Sequence, residues 1–443
     1  MTDYDKTSVQ SIVDFAGNLI GQSLSEAVTL PDSVSNPKNK GKLGELVEEY
    51  FFKIQPPNRH EPDFPDAGLE LKTTGVYKGK KQAYFAKERL VLTNINYKTI
   101  RAESWESSTF LAKCKLMLVL FYLFDEELAE VDRKFVLQPT IMNLLELSES
   151  DIIQIVKDWN FIRDKAISKK AHEISEGDTT YLKACRKGSG GEDERLASQG
   201  GTDVPAKTRA FSFPVGFMSR QIRERYPDEP SLLSASNQTV EEATKQRLSP
   251  YVGLTVSEIS AKLNWHSNSK GLHSQLVKRM LTGSGSQPLE LEKAGIKLRT
   301  LTLKHNGVPR ENFPFDPFDF SDLANQEWDE ADFAGDLETR YLLVVFAEDA
   351  QGMRRLSKAG YWTMPFQDRL LAKGVWETTR SLVLAGDYDL PRSTEHPIAF
   401  VNTHGRNAKD LVMTPHGTMV TRRSFWLSKY YLASVVSTQL SWL

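Results

Sequence analysis

One pattern occurs twice along this chain at a nearly constant separation, and the fold must accommodate both copies. Leu43-Gly-Glu-Leu-Val-Glu48 precedes Asp66-Ala-Gly-Leu-Glu-Leu-Lys-Thr73, and His273-Ser-Gln-Leu-Val-Lys278 precedes Lys293-Ala-Gly-Ile-Lys-Leu-Arg-Thr300. Further on, Trp105, Phe110 and Leu118-Val-Leu-Phe121 are echoed by Trp328, Phe333 and Leu343-Val-Val-Phe346. Glu48 and Lys278 stand 230 residues apart, Glu70 and Lys297 227, and Phe121 and Phe346 225. Near-constant offsets at three separate anchors predict duplicated domains. A chain of 443 residues has room for two hydrophobic cores. The polar stretch Pro227 to Pro250, about midway, is the expected linker.

Charged residues make up 26% of the chain and hydrophobic ones 40%, the balance of a soluble globular protein. The N-terminus has no basic start followed by a long apolar core, so no signal peptide is expected. The longest apolar run, Leu116 to Phe124, is too short to span a bilayer and reads as a buried strand. Cys114 and Cys185 are the two cysteines, without a CxxC spacing, which disfavours a disulfide scaffold or zinc ribbon and fits a reducing cytoplasm. Net charge is −2, yet Lys183 to Arg225 holds nine Lys/Arg against five acids, a local basic excess.

Hydrophobic spacing predicts a helix over Asn39–Ile54 and strands over Gly68–Thr74, Tyr84–Asn94 and Lys115–Leu123. It predicts a second helix over Ser148–Lys169, with Ser148 as its cap. Gly188–Pro205, rich in Gly, Ser and charge, reads as a mobile loop.

The chemistry is expected on the Gly68–Thr74 strand. Glu70 and Lys72 are two apart, so they leave the same face, while Leu69 and Leu71 leave the other. Asp63 precedes a Pro-rich break, and a hairpin-like return would bring its carboxylate beside Glu70. Two carboxylates make a hard oxygen site suited to Mg²⁺, which would polarise a scissile phosphate. Lys72 would orient or help deprotonate the attacking water. Asp66 lies only four positions before Glu70 and is the weaker ligand candidate. Glu48, on the preceding helix, and Lys113, beside the buried strand, are the further members of the expected catalytic set. No GxxxxGK[ST] motif occurs, which disfavours a nucleotide-driven motor.

Together these segments resemble the MutH/Sau-three-A family of mismatch-repair nickases and restriction endonucleases acting at GATC. Matching stretches include Gly44-Glu-Leu-Val-Glu-Glu-Tyr50, Asp63-Phe-Pro-Asp-Ala-Gly-Leu-Glu-Leu-Lys-Thr73, Trp105-Glu-Ser-Ser-Thr-Phe110, Ala171–Leu182 and Thr208–Phe213. Ala86–Leu92 and Asn94–Tyr97 favour the restriction branch, and Leu337–Arg340 and Arg423–Trp426 extend the likeness into the second half. The resemblance implies an α/β fold with an α+β mixed-sheet restriction-endonuclease-like core, present as two pseudo-repeated MutH-like domains. These are a catalytic domain over 1–235, a linker over 236–250 and a DNA-binding effector domain over 251–443. It implies catalytic roles for Glu48, Asp63, Glu70, Lys72 and Lys113, with Asp63 and Glu70 as metal ligands. Its base-reading loop falls on Tyr181–Gly188, with Lys187 at the recognition lysine. The family's arginine two residues earlier falls on Cys185, with Arg186 nearby, and a tyrosine that MutH inserts near the site falls on Met218. Lys183, Lys207, Arg209 and Arg220 are candidates for phosphate contact.

Aligning the repeats puts Lys278 at Glu48, Glu290 at Asp63, Lys297 at Glu70, Arg299 at Lys72 and Glu338 at Lys113. Two positions have reversed from acid to base, which removes a metal site and favours a phosphate backbone. Arg299, Arg406, Lys409, Arg422 and Arg423 are the expected effector-site residues. The expected activity is that of a type II, Mg²⁺-dependent endonuclease cutting double-stranded DNA at GATC and stimulated by a second GATC copy. A cognate methyltransferase would protect host DNA, and a symmetric target suggests transient dimers or sequential nicks. The competing readings are a nickase at hemimethylated GATC, for which one domain suffices, and a DNA-binding protein without catalysis, against which the intact Asp63, Glu70 and Lys72 argue.

Overall fold

A computed structural model describes residues 4–31, 42–54, 61–79, 83–187, 196–223, 238–267, 269, 271–405 and 410–440. The chain divides into two compact units. The first comprises Met1–His172, Thr179–Gly188 and Leu196–Glu229; the second comprises Glu173–Asp178, Ser189–Arg195 and Pro230–Leu443.

The first unit contains β1 (Glu70–Lys78), β2 (Tyr84–Ala86), β3 (Leu90–Asn94), β4 (Leu116–Leu123), β5 (Thr140–Asn143), β6 (Lys183–Arg186), β7 (Leu196–Ala197), β8 (Ala206–Lys207) and β9 (Arg209–Phe213). Its main sheet runs β2-β1-β4-β5, a second sheet runs β3-β9-β6, and β7 and β8 form a small hairpin. β1 and β4 are parallel, with Glu70 opposite Met117 and Gly75 opposite Tyr122. β4 is apolar at every position because both of its faces are buried, as interior strands of such sheets require. On one face Leu69, Leu71, Leu118 and Leu120 pack with Ile12, Phe15, Val47, Phe51 and Phe52 from N-terminal segments. That packing turns the opposite face of β1, with Glu70 and Lys72, toward the site. Gly75 packs closely against its neighbour: a Cβ there would stand 3.2 Å from the Tyr122 ring, tighter than ordinary contact.

The expected helix over 39–54 is shorter, an α-turn at Leu43–Leu46 running into a π-type turn at Val47–Phe51. The expected strand over 84–94 is two strands in two sheets. β2 pairs with β1 and β3 with β9, because the exposed residues Lys87–Arg89 carry the chain from one sheet to the other. Residues 188–195 of the expected loop lie outside the described residues, and part of the remainder forms the β7–β8 hairpin. The helix Glu149–Ile167 begins where Ser148 accepts the Asp151 N–H. Ser148→Ala should lower the stability of the first unit by about 1 kcal/mol, read as a lower midpoint in thermal or urea unfolding; an unchanged midpoint would remove the cap from the account.

The second unit contains β10 (Lys297–Leu303), β11 (Phe313–Pro317), β12 (Tyr341–Glu348), β13 (Arg354–Trp362), β14 (Ala399–Thr403), β15 (Leu411–Met413), β16 (Met419–Thr421) and β17 (Arg423–Leu427). Its sheets run β10-β12-β13 and β11-β17-β14, with a β15–β16 hairpin. The wiring repeats that of the first unit. β10 and β12 are parallel, with Lys297 opposite Tyr341 and Thr302 opposite Phe346; β12 and β13 are antiparallel. Each unit also carries a 19-residue helix after the last strand of its main sheet, Glu149–Ile167 following β5 in one and Phe366–Leu384 following β13 in the other. The mixed α/β fold and its duplication are thus present in the backbone. The copies differ at one edge: β2 pairs with β1 at Val76–Lys78, whereas the matching end of β10 is met only by the bridge of Pro309 to Leu303.

Part of the expected linker is not a linker. Residues Val240–Leu248 form a helix started by a capping box, in which Thr239 and Glu242 satisfy each other's backbone N–H. Val240, Ala243 and Leu248 are buried, so this polar sequence belongs to the second unit's core. No helix among the described residues is long and apolar enough to cross a membrane.

Candidate active site

The site is built by a tight return just before β1. Phe64 and Leu69 exchange backbone hydrogen bonds of 2.9 and 3.2 Å around the short turn Pro65–Ala67. Gly68 closes it at φ +61°, a conformation that disfavours residues with a side chain. The return lays Asp63 against Glu70. The Asp63 N–H donates to Glu70 Oε2 at 3.3 Å, and the Leu71 N–H donates to Asp63 Oδ2 at 2.8 Å. Both carboxylates are buried, at 5% and 1% exposure. Asp66 is exposed on the turn.

Lys72 leaves the same face as Glu70 and donates from Nζ to Glu70 Oε1. Lys113, on the helix Thr109–Cys114, brings its Nζ to 3.5 Å from the same oxygen. That helix is positioned by Ser108, which caps it by accepting the Leu111 N–H, and by buried Phe110 and Cys114. Glu48 is half-buried on the Val47–Phe51 turn, near enough for its charge to interact with Asp63, Lys72 and Glu70. The fold therefore gathers Asp63, Glu70, Lys72 and Lys113 by direct contact and Glu48 by electrostatic proximity.

The electrostatics are those of a crowded anionic site. Burial, and then the negative charge of Asp63, push the Glu48 carboxyl up to about 7, with Lys72 opposing. Burial also raises Glu70, against the lowering influence of Lys72 and Lys113. For Lys72, burial disfavours the ammonium, but the Glu70 carboxylate and then Asp63 outweigh it and leave the pKa raised. Burial drives the Cys114 thiol up to about 12, so it stays protonated. Carboxylates held against their desolvation cost are the donor set that a hard divalent cation relieves. Among the described residues no group of three or more His, Cys, Asp or Glu could hold a metal. Mg²⁺ does not need one, since it keeps several waters and commonly takes one or two carboxylates plus substrate phosphate oxygens. The residues fit that ion and lack the nitrogen or sulfur ligands zinc prefers.

The expected reading segment follows β6. Lys187 is exposed just past the strand, its N–H donating to Thr208 O at 3.1 Å, and Arg186 is half-buried beside it. Gly188 lies outside the described residues. Lys207 and Arg220 are half-buried. Lys183 and Arg209 do not have the exposure that phosphate contact needs. Lys183 is buried with its Nζ donating to Thr179 O, and Arg209 is buried with Nη1 donating to Ala184 O at 2.7 Å. Both tie the segment down from within. Met218 is buried on the helix Val215–Arg223.

Asp158 is the residue that sequence reasoning missed. It sits on the helix Glu149–Ile167, buried, and accepts the backbone N–H groups of Thr180, Tyr181 and Leu182 at 2.9, 2.6 and 2.9 Å. Gln154 Nε2 adds a fourth donor at 3.1 Å. One carboxylate thus fixes the backbone leading into β6. The available signal was an aspartate on the apolar face of a helix beside Trp159 and Ile162.

At the corresponding place in the second unit, the paired carboxylates are gone. Glu290 is buried on the helix Leu289–Ala294. Lys297 forms an ion pair with Asp336 at 2.9 Å, and Arg299 lies over the Phe313 ring at 5.2 Å. Lys278 and Glu338 are half-buried. Arg422 pairs with Asp410 at 3.4 Å, Arg423 begins β17, and Arg406 and Lys409 lie outside the described residues.

Two similarities to known proteins agree with this geometry. The family described as "DNA mismatch repair enzyme MutH" matches residues 52–158, a span that contains Asp63, Glu70, Lys72, Lys113 and Asp158. The chain is also 28% identical over 393 residues to the type II restriction enzyme Sau3AI of Staphylococcus aureus, an alignment covering 84% of this chain and 79% of that protein.

Proposed function

The chain belongs to the MutH/Sau3AI family, and from that premise we propose that it is a type II restriction endonuclease hydrolysing DNA phosphodiesters at GATC with Mg²⁺. The observation that carries this reading is the clasp of Asp63 and Glu70, with Lys72 and Lys113 on the same Glu70 oxygen. Asp63 and Glu70 hold the ion. When bound, it supplies positive charge at the scissile phosphate. Lys72 orients the attacking water and, with Lys113, opposes the protonation of Glu70 that burial favours, while Glu48 supplies a carboxyl whose pKa burial brings to about 7 at the edge of the site. Lys187 and Arg186 suit the O6 and N7 acceptors of guanine in the major groove.

The second unit has the fold without the paired carboxylates, and its role in this reading is to bind a second GATC copy that promotes cleavage by the first. A MutH-type nickase needs one such unit; the duplication and the similarity across both halves favour the restriction enzyme. With one catalytic site per chain, a symmetric target is cut by transient dimers or by sequential nicks. A host carrying this activity in its cytoplasm requires a methyltransferase protecting its own GATC sites.

The test uses supercoiled plasmids carrying one or two GATC sites. Addition of Mg²⁺ to chelator-treated protein should restore cleavage that EDTA abolishes, with every cut mapping to GATC. The two-site plasmid should be cut several-fold faster per site. Cleavage surviving EDTA would overturn the metal assignment, cuts elsewhere the specificity, and equal rates the stimulation by a second copy.

A further inference from the structure

A pocket of about 610 Å³ opens beside β10 in the second unit, between the strand's edge at Arg299–Thr302 and the segment Pro309–Pro314. Its lining includes Arg299, Arg310, Arg354, His273 and Asn312, from β10, the loop after it, the start of β13 and the helix Leu272–Thr282. In the repeat, Arg299 stands where the first unit has Lys72, so this pocket adjoins the place of the lost catalytic centre. In the first unit β2 pairs with β1 at Val76–Lys78, beyond Lys72; at the matching end of β10 Pro309 bridges Leu303, and no strand among the described residues pairs with the edge beside Arg299.

The chemistry of the pocket is cationic. Arg310 and Arg354 share one carboxylate, Glu348, and Glu311 is the acid in the lining. Three guanidiniums therefore face two carboxylates. Arg299 has neither as a partner: the face of Phe313 holds it, and no ion pair engages it among the described residues. The ring fixes the guanidinium's orientation without neutralising it. The helix Leu272–Thr282 begins at Gly271 with no side-chain cap, and its first turn lines the same pocket, adding backbone N–H groups and the positive end of its dipole. His273 is stacked on Phe346 and held neutral by burial and by Arg354, so it offers a hydrogen bond and no charge. A peptide adding a strand to this edge would meet Pro309, whose bridge to Leu303 already closes one end. A compact anion with several oxygens matches the donors better.

We propose that this pocket binds a backbone phosphate of the DNA held by the second unit, with Arg299 as its principal ligand and Arg310 and Arg354 beside it. The inference rests on the reading that the second unit binds DNA, and it locates where on that unit a strand is gripped. The position that cuts a phosphodiester in one repeat grips one in the other.

The experiment uses the full chain carrying Glu70→Gln to block cleavage, titrated with a short labelled duplex containing one GATC. Two equivalents should bind. Adding Arg299→Ala should weaken the second equivalent about tenfold and leave the first unchanged, with the salt dependence of the second falling by about 0.9 per lost phosphate. Arg299→Lys should recover part of the affinity, and all variants should melt with the parent. Two equivalents with both affinities unchanged in Arg299→Ala and in Arg299→Ala/Arg354→Ala would overturn the proposal while sparing the DNA-binding reading. A single equivalent in the parent would overturn that reading and the proposal with it. Inorganic phosphate and thymidine monophosphate serve as competing probes. If either occupies the pocket while Arg299→Ala leaves duplex binding intact, the pocket serves a free phosphate ligand and the DNA assignment falls.

Discussion

Glu70→Gln is expected to reduce GATC cleavage by about 10³-fold or more, roughly 4 kcal/mol of transition-state stabilisation, while specific DNA binding stays within a few-fold of the parent. Glutamine keeps the shape of the side chain and an oxygen for the Asp63 N–H, but it removes the charge that a divalent ion needs. Glu70→Ala is a poorer test, because it strips Lys72 and Lys113 of their shared carboxylate. Lys72 would then be a mostly buried cation with neither an anion nor, unlike in Glu70→Gln, an amide oxygen to accept from it, and breaking such a pair costs several kcal/mol of stability. Asp63→Asn complements it: the Leu71 N–H retains an acceptor, so the turn persists while a metal ligand is lost. A Glu70→Gln enzyme that cuts at the parental rate, with a normal melting profile, would remove Glu70 from the active site.

Asp158→Ala is expected to be the most damaging change outside that site. It leaves three backbone N–H groups without their acceptor in the interior, each costing about 1–3 kcal/mol unless water reaches it. The first unit should lose about 3 kcal/mol or more, seen as a lower unfolding midpoint. The functional effect is more diagnostic. These N–H groups anchor the strand that ends at Arg186 and Lys187, so the ratio of specific to non-specific affinity should fall at least about tenfold while non-specific binding persists. A variant that is less stable but discriminates GATC as well as the parent would show that Asp158 supports the fold and does not position the reading segment.

What the sequence revealed and what it hid follow from the range of the interactions. The Asp63–Glu70 return depends on Pro65, Gly68 and an eight-residue span, all local, and reading along the chain was enough to expect it. The repeat was visible for the same reason, since each anchor is a short contiguous motif. The division of Tyr84–Asn94 between two sheets was hidden, because alternation of side chains marks a strand without naming its partner. Lys183 and Arg209 read as surface cations; their carbonyl acceptors, Thr179 and Ala184, are what make their burial tolerable. Asp158 finds its donors 22 to 24 residues away, on a segment with no periodicity to connect them. The helix at Val240–Leu248 was there to be found: Thr239 followed three positions later by Glu242 is a capping-box signature, but the polar composition around it suggested a linker.

Two copies of one wiring diagram in a single chain create a hazard during folding, when a strand of one copy can pair with the partner that belongs to the other. The contact between Gly75 and Tyr122 guards against this. Gly75 lies opposite Tyr122 in β1 and β4, and even one added methyl would stand 3.2 Å from the ring. In β10 and β12 the strand register pairs Thr302 with Phe346, the residue that the repeat aligns with Phe121, next to Tyr122. If β10 took the place of β1 beside β4, the branched side chain of Thr302 would be forced against the Tyr122 ring. The reverse exchange would leave Gly75 beside Phe346 with a void where Thr302 had been. The small residue opposite the Tyr122 ring thus disfavours the exchange of β1 and β10 between the two copies.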